Sequence, residues 1–139
     1  MKIAIINGPN LNLLGKRETG IYGSESFDEF FVKLQHQFPG VELSYFQSNV
    51  EGELVNEIQR VGYSFNGIII NPAAYTHTSV AICDAIAAVT SPVIEVHISN
   101  IFAREEFRKL SHVSGKSAGV ISGLCLTGYK LALLYLTEK

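Results

Sequence analysis

The sequence predicts an α/β protein, a flavodoxin-like three-layer sandwich with a five-stranded parallel sheet between two helical layers. Three observations carry that prediction. Short apolar runs alternate with segments of helical period, strand then helix, five times along the chain. Runs such as Ile3 to Ile6 and Gly67 to Ile70 are apolar at consecutive positions, which suits parallel strands covered on both faces. The polar loops richest in Asn and Gly follow strands one, three and four, at the carboxyl ends where this architecture binds ligands.

Composition narrows the class. The chain has 139 residues, 11 Lys and Arg against 13 Asp and Glu, and a formal charge of −2. That length suits one domain, residues 1–139, and the near-neutral balance argues against a nucleic-acid partner. No apolar stretch reaches the ~20 residues that a bilayer needs, so no membrane partner is expected. Hydrophobic residues make up 47% and charged residues 17%, an apolar excess that copies of the chain could cover. Cys83 and Cys125 lie in apolar helical patterns and read as reduced core residues. The apolar run at the amino terminus is too short for a signal peptide, which makes a cytoplasmic location the expectation.

The elements follow in order. Ile3 to Ile6 is a strand ended by Asn7-Gly8-Pro9, and residues 8–23 form a long loop of the length usually kept for function. Ser26 caps a helix with Glu29 in the capping-box position; Phe27, Phe30, Phe31, Leu34 and Phe38 mark its buried face, and Pro39-Gly40 stops it. Val41 to Phe46 is a strand. Glu51 to Val61 is a helix with Leu54, Ile58 and Val61 inward. Gly67 to Asn71 is the third strand, Pro72 to Thr78 a loop, and Ser79 to Val89 an Ala-rich helix capped by Thr78 or Ser79. Val93 to His97 is the fourth strand. Residues 98–117 are irregular around one basic helical turn, Arg104 to Lys109, and Ala118 to Ile121 is the fifth strand. Leu124 to Thr137 closes the chain as a helix apolar on nearly every face, which excludes a position with one face wet.

Three loops carry the chemistry. The first lacks the glycine fingerprints of nucleotide cradles, but it places Tyr22 five residues after Arg17. A guanidinium held beside a phenol favours the phenolate, a candidate base. The third holds Asn71, leaving its strand toward the cleft, and His77, near the positive end of the next helix, where the neutral ring is favoured. Asp84 lies two turns on from His77. In the fourth, Glu95 and His97 are two apart on a strand and face one side; a buried carboxylate favours a protonated imidazole, a candidate acid. The N–H groups of Ile98 and Ser99 suit an anion, and Arg104 and Arg108, at i and i+4, suit a small carboxylate as well as they suit pairing with Glu105 or Glu106. A base and an acid without a nucleophile triad or a metal cluster point to elimination, hydration or isomerisation beside a carbonyl, with Asn10 or Asn12 as donors to an enolate. A non-catalytic flavodoxin-like module holding a small carboxylate, and a flavin- or nucleotide-binding redox domain, remain as alternatives.

The segments 7–15 with Arg17 and Tyr22-Gly23, Gln47-Ser48-Asn49, Asn71 to Ser79, Glu95 to Asn100 and Arg104 to Arg108 together resemble type II 3-dehydroquinate dehydratase, in order and over the whole chain. The resemblance implies an anti elimination of water from 3-dehydroquinate to 3-dehydroshikimate through an enolate, in the shikimate pathway, with no cofactor, no metal and no Schiff-base lysine. It implies Tyr22 as the proton acceptor at C2 and Arg17 as the group that activates it. It implies His97 as the acid at the C1 hydroxyl, oriented by Glu95, and Asn10 as the holder of a water on the enolate. Asn71 with the Ile98 and Ser99 amides then resembles the carboxylate site, His77 and Arg108 resemble ring-hydroxyl ligands, and Asp84 resembles a residue reaching into a neighbour's site. Family members are homododecamers, four trimers each. Thr19, Val50 and Cys83 depart from the residues frequent there, none of them at a catalytic position.

Overall fold

A computed structural model describes residues 1–16, 20 and 24–139. Its strands are β1 (Lys2–Asn7), β2 (Glu42–Gln47), β3 (Gly67–Asn71), β4 (Val93–His97) and β5 (Gly119–Ser122). Its α-helices among the described residues include α1 (Phe27–Gln37), α2 (Glu51–Val61), α3 (Val80–Ala88) and α4 (Thr127–Glu138). The strands form one sheet in the order β2-β1-β3-β4-β5, with every pairing parallel. This is the flavodoxin-like order, which reverses direction between β1 and β3 and opens a crevice there.

Period-two alternation sorts the sheet's side chains into two cores. Ile3, Ile5, Ile69, Ile94 and Val96 pack with Phe27 and Leu34 of α1 and with Tyr129, Leu133 and Leu136 of α4. Ala4, Ile6, Ile68, Ile70 and Val93 pack with Leu54, Ile58 and Val61 of α2 and with Ile82 and Ile86 of α3. Both faces are therefore dry, which is why these strands read as unbroken apolar runs. The expected caps form: Ser26 Oγ accepts from the Glu29 N–H at 3.2 Å, and Ser79, not Thr78, caps α3 by accepting from the Ile82 N–H at 2.9 Å.

Four expectations are corrected. Between β4 and β5 the described chain makes short 3-10 turns at Ile101–Ala103, Glu106–Lys109 and Ser114–Lys116, and Arg104 stands before its turn in extended backbone. The closing helix begins at Thr127, not Leu124, because Gly123 and Cys125 adopt φ of 91° and 54°, left-handed conformations that no right-handed helix contains. It also keeps one face outward: Tyr129, Ala132, Leu133 and Leu136 are buried, whereas Leu131 and Tyr135 are exposed. Neither cysteine is a core residue; Cys83 is half-buried on α3 and Cys125 is exposed in the turn before α4. Among the described residues no helix is long and apolar enough to cross a membrane.

Candidate active site

The loops after β1, β3 and β4 converge on one cleft at the carboxyl end of the sheet. Pro9, Asn10, Leu11 and Leu14 line it from the first loop, Asn71, Ala73, Ala74 and His77 from the second, and His97, Ile98, Ser99, Ile101, Arg104 and Arg108 from the third. Gly8 allows the first two to meet. Its N–H donates to Asn71 O at 2.8 Å, and a Cβ there would lie 2.5 Å from Pro72 O, inside any tolerable contact. Asn10 follows at φ 69°, a left-handed turn that asparagine tolerates better than most residues.

Glu95 is the buried charge of the site. It is fully buried on β4, and such a carboxylate is costly unless donors surround it. Its Oε1 accepts from His97 Nε2 at 2.6 Å, Thr76 Oγ1 at 2.7 Å and Ser111 Oγ at 3.1 Å, and its Oε2 accepts from Ser114 Oγ. Burial alone pushes the Glu95 pKa up, but the bonds from His97, Ser114 and Thr76 outweigh it and hold the carboxyl below the ordinary carboxylate range. An ionised Glu95 can only accept, so the His97 Nε2 carries a hydrogen and Nδ1 is the nitrogen left to a ligand. Replacing Ser111 and Ser114 together by Ala is expected to destabilise the fold by roughly 3–6 kcal/mol, at ~1.5–3 kcal/mol for each bond to a charge. Thermal unfolding checks this, and an unchanged Tm would contradict it.

His77 stands beside this pair, its ring centroid 6.5 Å from that of His97 with the planes 21° apart. Its Nδ1 contacts Leu110 O at 2.7 Å, which places the hydrogen on Nδ1 and leaves Nε2 as an acceptor when the ring is neutral. Burial pushes the His77 pKa down, and His97 and Arg108 add to that against the opposing Leu110 carbonyl. The expected neutral ring is thus reached by desolvation and like charge rather than by a helix terminus. Arg108 Nε lies 3.2 Å from Glu105 Oε1, so the pairing and cleft-lining readings of this arginine hold at once. Arg104 donates to Ser99 Oγ at 3.3 Å. The Ile98 and Ser99 N–H groups lie at the cleft wall and meet no acceptor among the described residues.

Of the residues singled out from the sequence, Asn10, Asn71, His77, His97, Ile98, Ser99 and Arg108 share the cleft wall, with Glu95 directly behind His97. Asp84 is not brought to it: it is exposed on α3, away from the lining residues of its own chain. Arg17 and Tyr22 lie outside the described residues. The ends of their segment approach each other, since a Cβ on Gly15 would lie 2.7 Å from Ser24 O. Sequence reasoning missed Thr76, Ser111 and Ser114. The signal for them was available: a Glu on a central strand demands donors, and hydroxyls recur at positions 111, 114 and 117 in the irregular segment that follows it.

Comparisons with known proteins identify the family. The family model described as dehydroquinase class II matches residues 1–137. A 3-dehydroquinate dehydratase from Aliarcobacter butzleri is 54% identical over 99% of this chain and 85% of its own, and one from Fusobacterium nucleatum is 54% identical over 99% and 97%. The crystal structure of the type II dehydroquinase from Propionibacterium acnes superposes with a TM-score of 0.95 at 41% identity, covering 99% of this chain and 97% of that one. A match that spans nearly every residue leaves one conclusion: this chain belongs to the class II dehydroquinase family.

Proposed function

We propose that this chain is a hydro-lyase, a type II 3-dehydroquinate dehydratase that eliminates water from 3-dehydroquinate to give 3-dehydroshikimate in the shikimate pathway, the route to chorismate and the aromatic amino acids. The observation that carries the reading is the buried Glu95–His97 pair, 2.6 Å apart, at the wall of a cleft that also holds Asn10, Asn71 and Arg108. Relatives 54% identical over nearly the full chain are named for this activity, which supports it further.

In this reading Tyr22, activated as phenolate by Arg17, takes the proton from C2, and the electron pair moves into an enolate. Asn10 holds the water that hydrogen-bonds the enolate oxygen. The C1–O bond then breaks as His97 Nδ1 passes a proton to the departing hydroxyl, which leaves as water. Glu95 stabilises the imidazolium and fixes its orientation, as a buried carboxylate does for a catalytic imidazole. Asn71 and the Ile98 and Ser99 amides bind the substrate carboxylate, and His77 and Arg108 bind ring hydroxyls. No cofactor and no metal take part in this scheme. Residues 1–139 act as a single catalytic domain. The assembly is a homododecamer, four trimers, in which Asp84 of one subunit reaches a neighbour's site; the exposure of Asp84 on α3 is compatible with that role. The enzyme works in the cytoplasm.

The test is the appearance of the conjugated enone as new ultraviolet absorbance when 3-dehydroquinate is added. Turnover is expected to survive borohydride treatment with substrate present, since no Schiff base forms. Tyr22→Phe is expected to lower kcat by ~100-fold or more. Absence of turnover in the unaltered chain, with ligand-induced stabilisation only, would favour the carboxylate-binding module instead.

A further inference from the structure

Beneath the cleft lies a buried polar chain of which the reaction scheme uses only the end, Asn71. Asn71 Nδ2 donates to Tyr129 Oη at 2.9 Å, and Tyr129 Oη donates to Asn7 Oδ1 at 2.8 Å. These three side chains come from β3, α4 and β1, and all are at least 97% buried, with Asn7 and Tyr129 fully so. The direction of each bond follows from one backbone donor. Asn71 Oδ1 accepts from the Ala73 N–H at 3.0 Å, so the amide nitrogen of Asn71 must face Tyr129. The phenol oxygen then accepts, and its single hydrogen goes to the oxygen of Asn7. Asn7 Nδ2 is then buried with no hydrogen-bond partner among the described residues. Burial pushes the Tyr129 pKa up, which keeps the phenol neutral and able to donate to Asn7.

We propose that Tyr129 is a positioning residue that makes Asn71 present only hydrogen-bond donors to the cleft, and so selects a ligand with an anionic, acceptor-only group at that point. The Asn71 oxygen is held by Ala73 and one amide hydrogen is held by Tyr129. The second amide hydrogen is the group left for a ligand in the cleft that Asn71 lines. Without the hydroxyl, the Asn71 amide loses one of the two bonds that hold it, and the Ala73 N–H alone is left to keep its oxygen from turning toward the ligand, where it would repel a carboxylate. The Ala73 turn is part of the same device. Ala73 has φ 54°, a strained conformation for alanine, and the bond to Asn71 Oδ1 supports it. The proposal rests on the dehydratase reading, in which the group bound there is the carboxylate of 3-dehydroquinate.

The test is Tyr129→Phe, which removes one oxygen and keeps the ring that packs on Phe27 and Phe30. Expected is a rise of about five- to tenfold in KM for 3-dehydroquinate with kcat within about threefold, the scale of one uncharged hydrogen bond. In an Asn71→Ala background the same change should alter KM by less than about twofold, because Tyr129 acts through Asn71. The methyl ester of the substrate, which lacks the anion, should lose much less affinity. An unchanged KM in Tyr129→Phe, or KM effects that multiply in the double variant, would overturn the proposal while the unaltered enzyme still turns over. No turnover by the unaltered enzyme would instead overturn the dehydratase reading. A second measurement needs no variant. In the 15N-labelled unaltered chain, the Asn71 side-chain amide should show one exchange-protected hydrogen and one that shifts on adding substrate. Two freely exchanging hydrogens would sink the idea even if Tyr129→Phe does not fold.

Discussion

His97→Ala is expected to lower kcat by ~10²–10⁴-fold, the range typical for loss of a positioned general acid, while the protein stays folded. The fold survives because Glu95 keeps its hydroxyl donors. Thr76, Ser111 and Ser114 still surround the carboxylate, so the substitution does not leave a bare buried charge. The Tm should therefore fall by only a few degrees, as for loss of one hydrogen bond. KM should change much less than kcat, since in the proposed scheme His97 acts on the departing hydroxyl and not on the groups that hold the ring. The enone assay reads the rate, and added imidazole should restore part of it by entering the vacated space. A His97→Ala protein with more than about a tenth of the original kcat would remove His97 from the acid role.

Glu95→Gln is expected to lower kcat by ~100-fold, and its stability should also change with pH in a particular direction. Glutamine keeps the shape but replaces an anion by a group that carries an N–H of its own. One of the four donors now meets another donor, and His97 loses the carboxylate that orients its ring. The folded state holds the Glu95 pKa below its ordinary value of 4.5, because the His97, Ser114 and Thr76 bonds overcome the cost of burial. In the window around and below that value the unfolded chain therefore binds a proton that the folded chain does not. Stability from this group is fully present above the ordinary carboxylate range and is lost as the pH falls through the lowered value. The Tm of the unaltered protein should thus drop more steeply on acidification below about pH 4.5 than that of Glu95→Gln. Parallel Tm curves for the two proteins would show that Glu95 is not held ionised by its neighbours.

These two residues also show how far a sequence can be read. Glu95 and His97 were visible as a pair because strand geometry puts positions two apart on one face, a rule that needs no tertiary information. Period and punctuation likewise located the sheet's strands and the first three helices to within a few residues. The errors lie where backbone conformation depends on contacts distant in sequence. The start of α4 moved from Leu124 to Thr127 because Gly123 and Cys125 turn left-handed where the chain leaves β5, with Gly123 packed on Asn100. The basic segment around Arg104 and Arg108 looked like an α-helical turn, but it closes as a 3-10 turn that faces the cleft.

The sequence by itself determined the architecture, the cleft-bearing loops and the residue types that do acid and anion chemistry. Those properties come from local rules: hydrophobic period, capping, and the alternation of faces along a strand. Only the tertiary structure decided which distant groups make that chemistry possible. Thr76, Ser111 and Ser114 converge on Glu95 from 16 to 19 residues away, and Tyr129 reaches Asn71 across 58 residues and Asn7 across 122. The physical reason is burial. A buried carboxylate or amide must find its partners in whatever packs against it, and chain spacing does not encode which segment that will be.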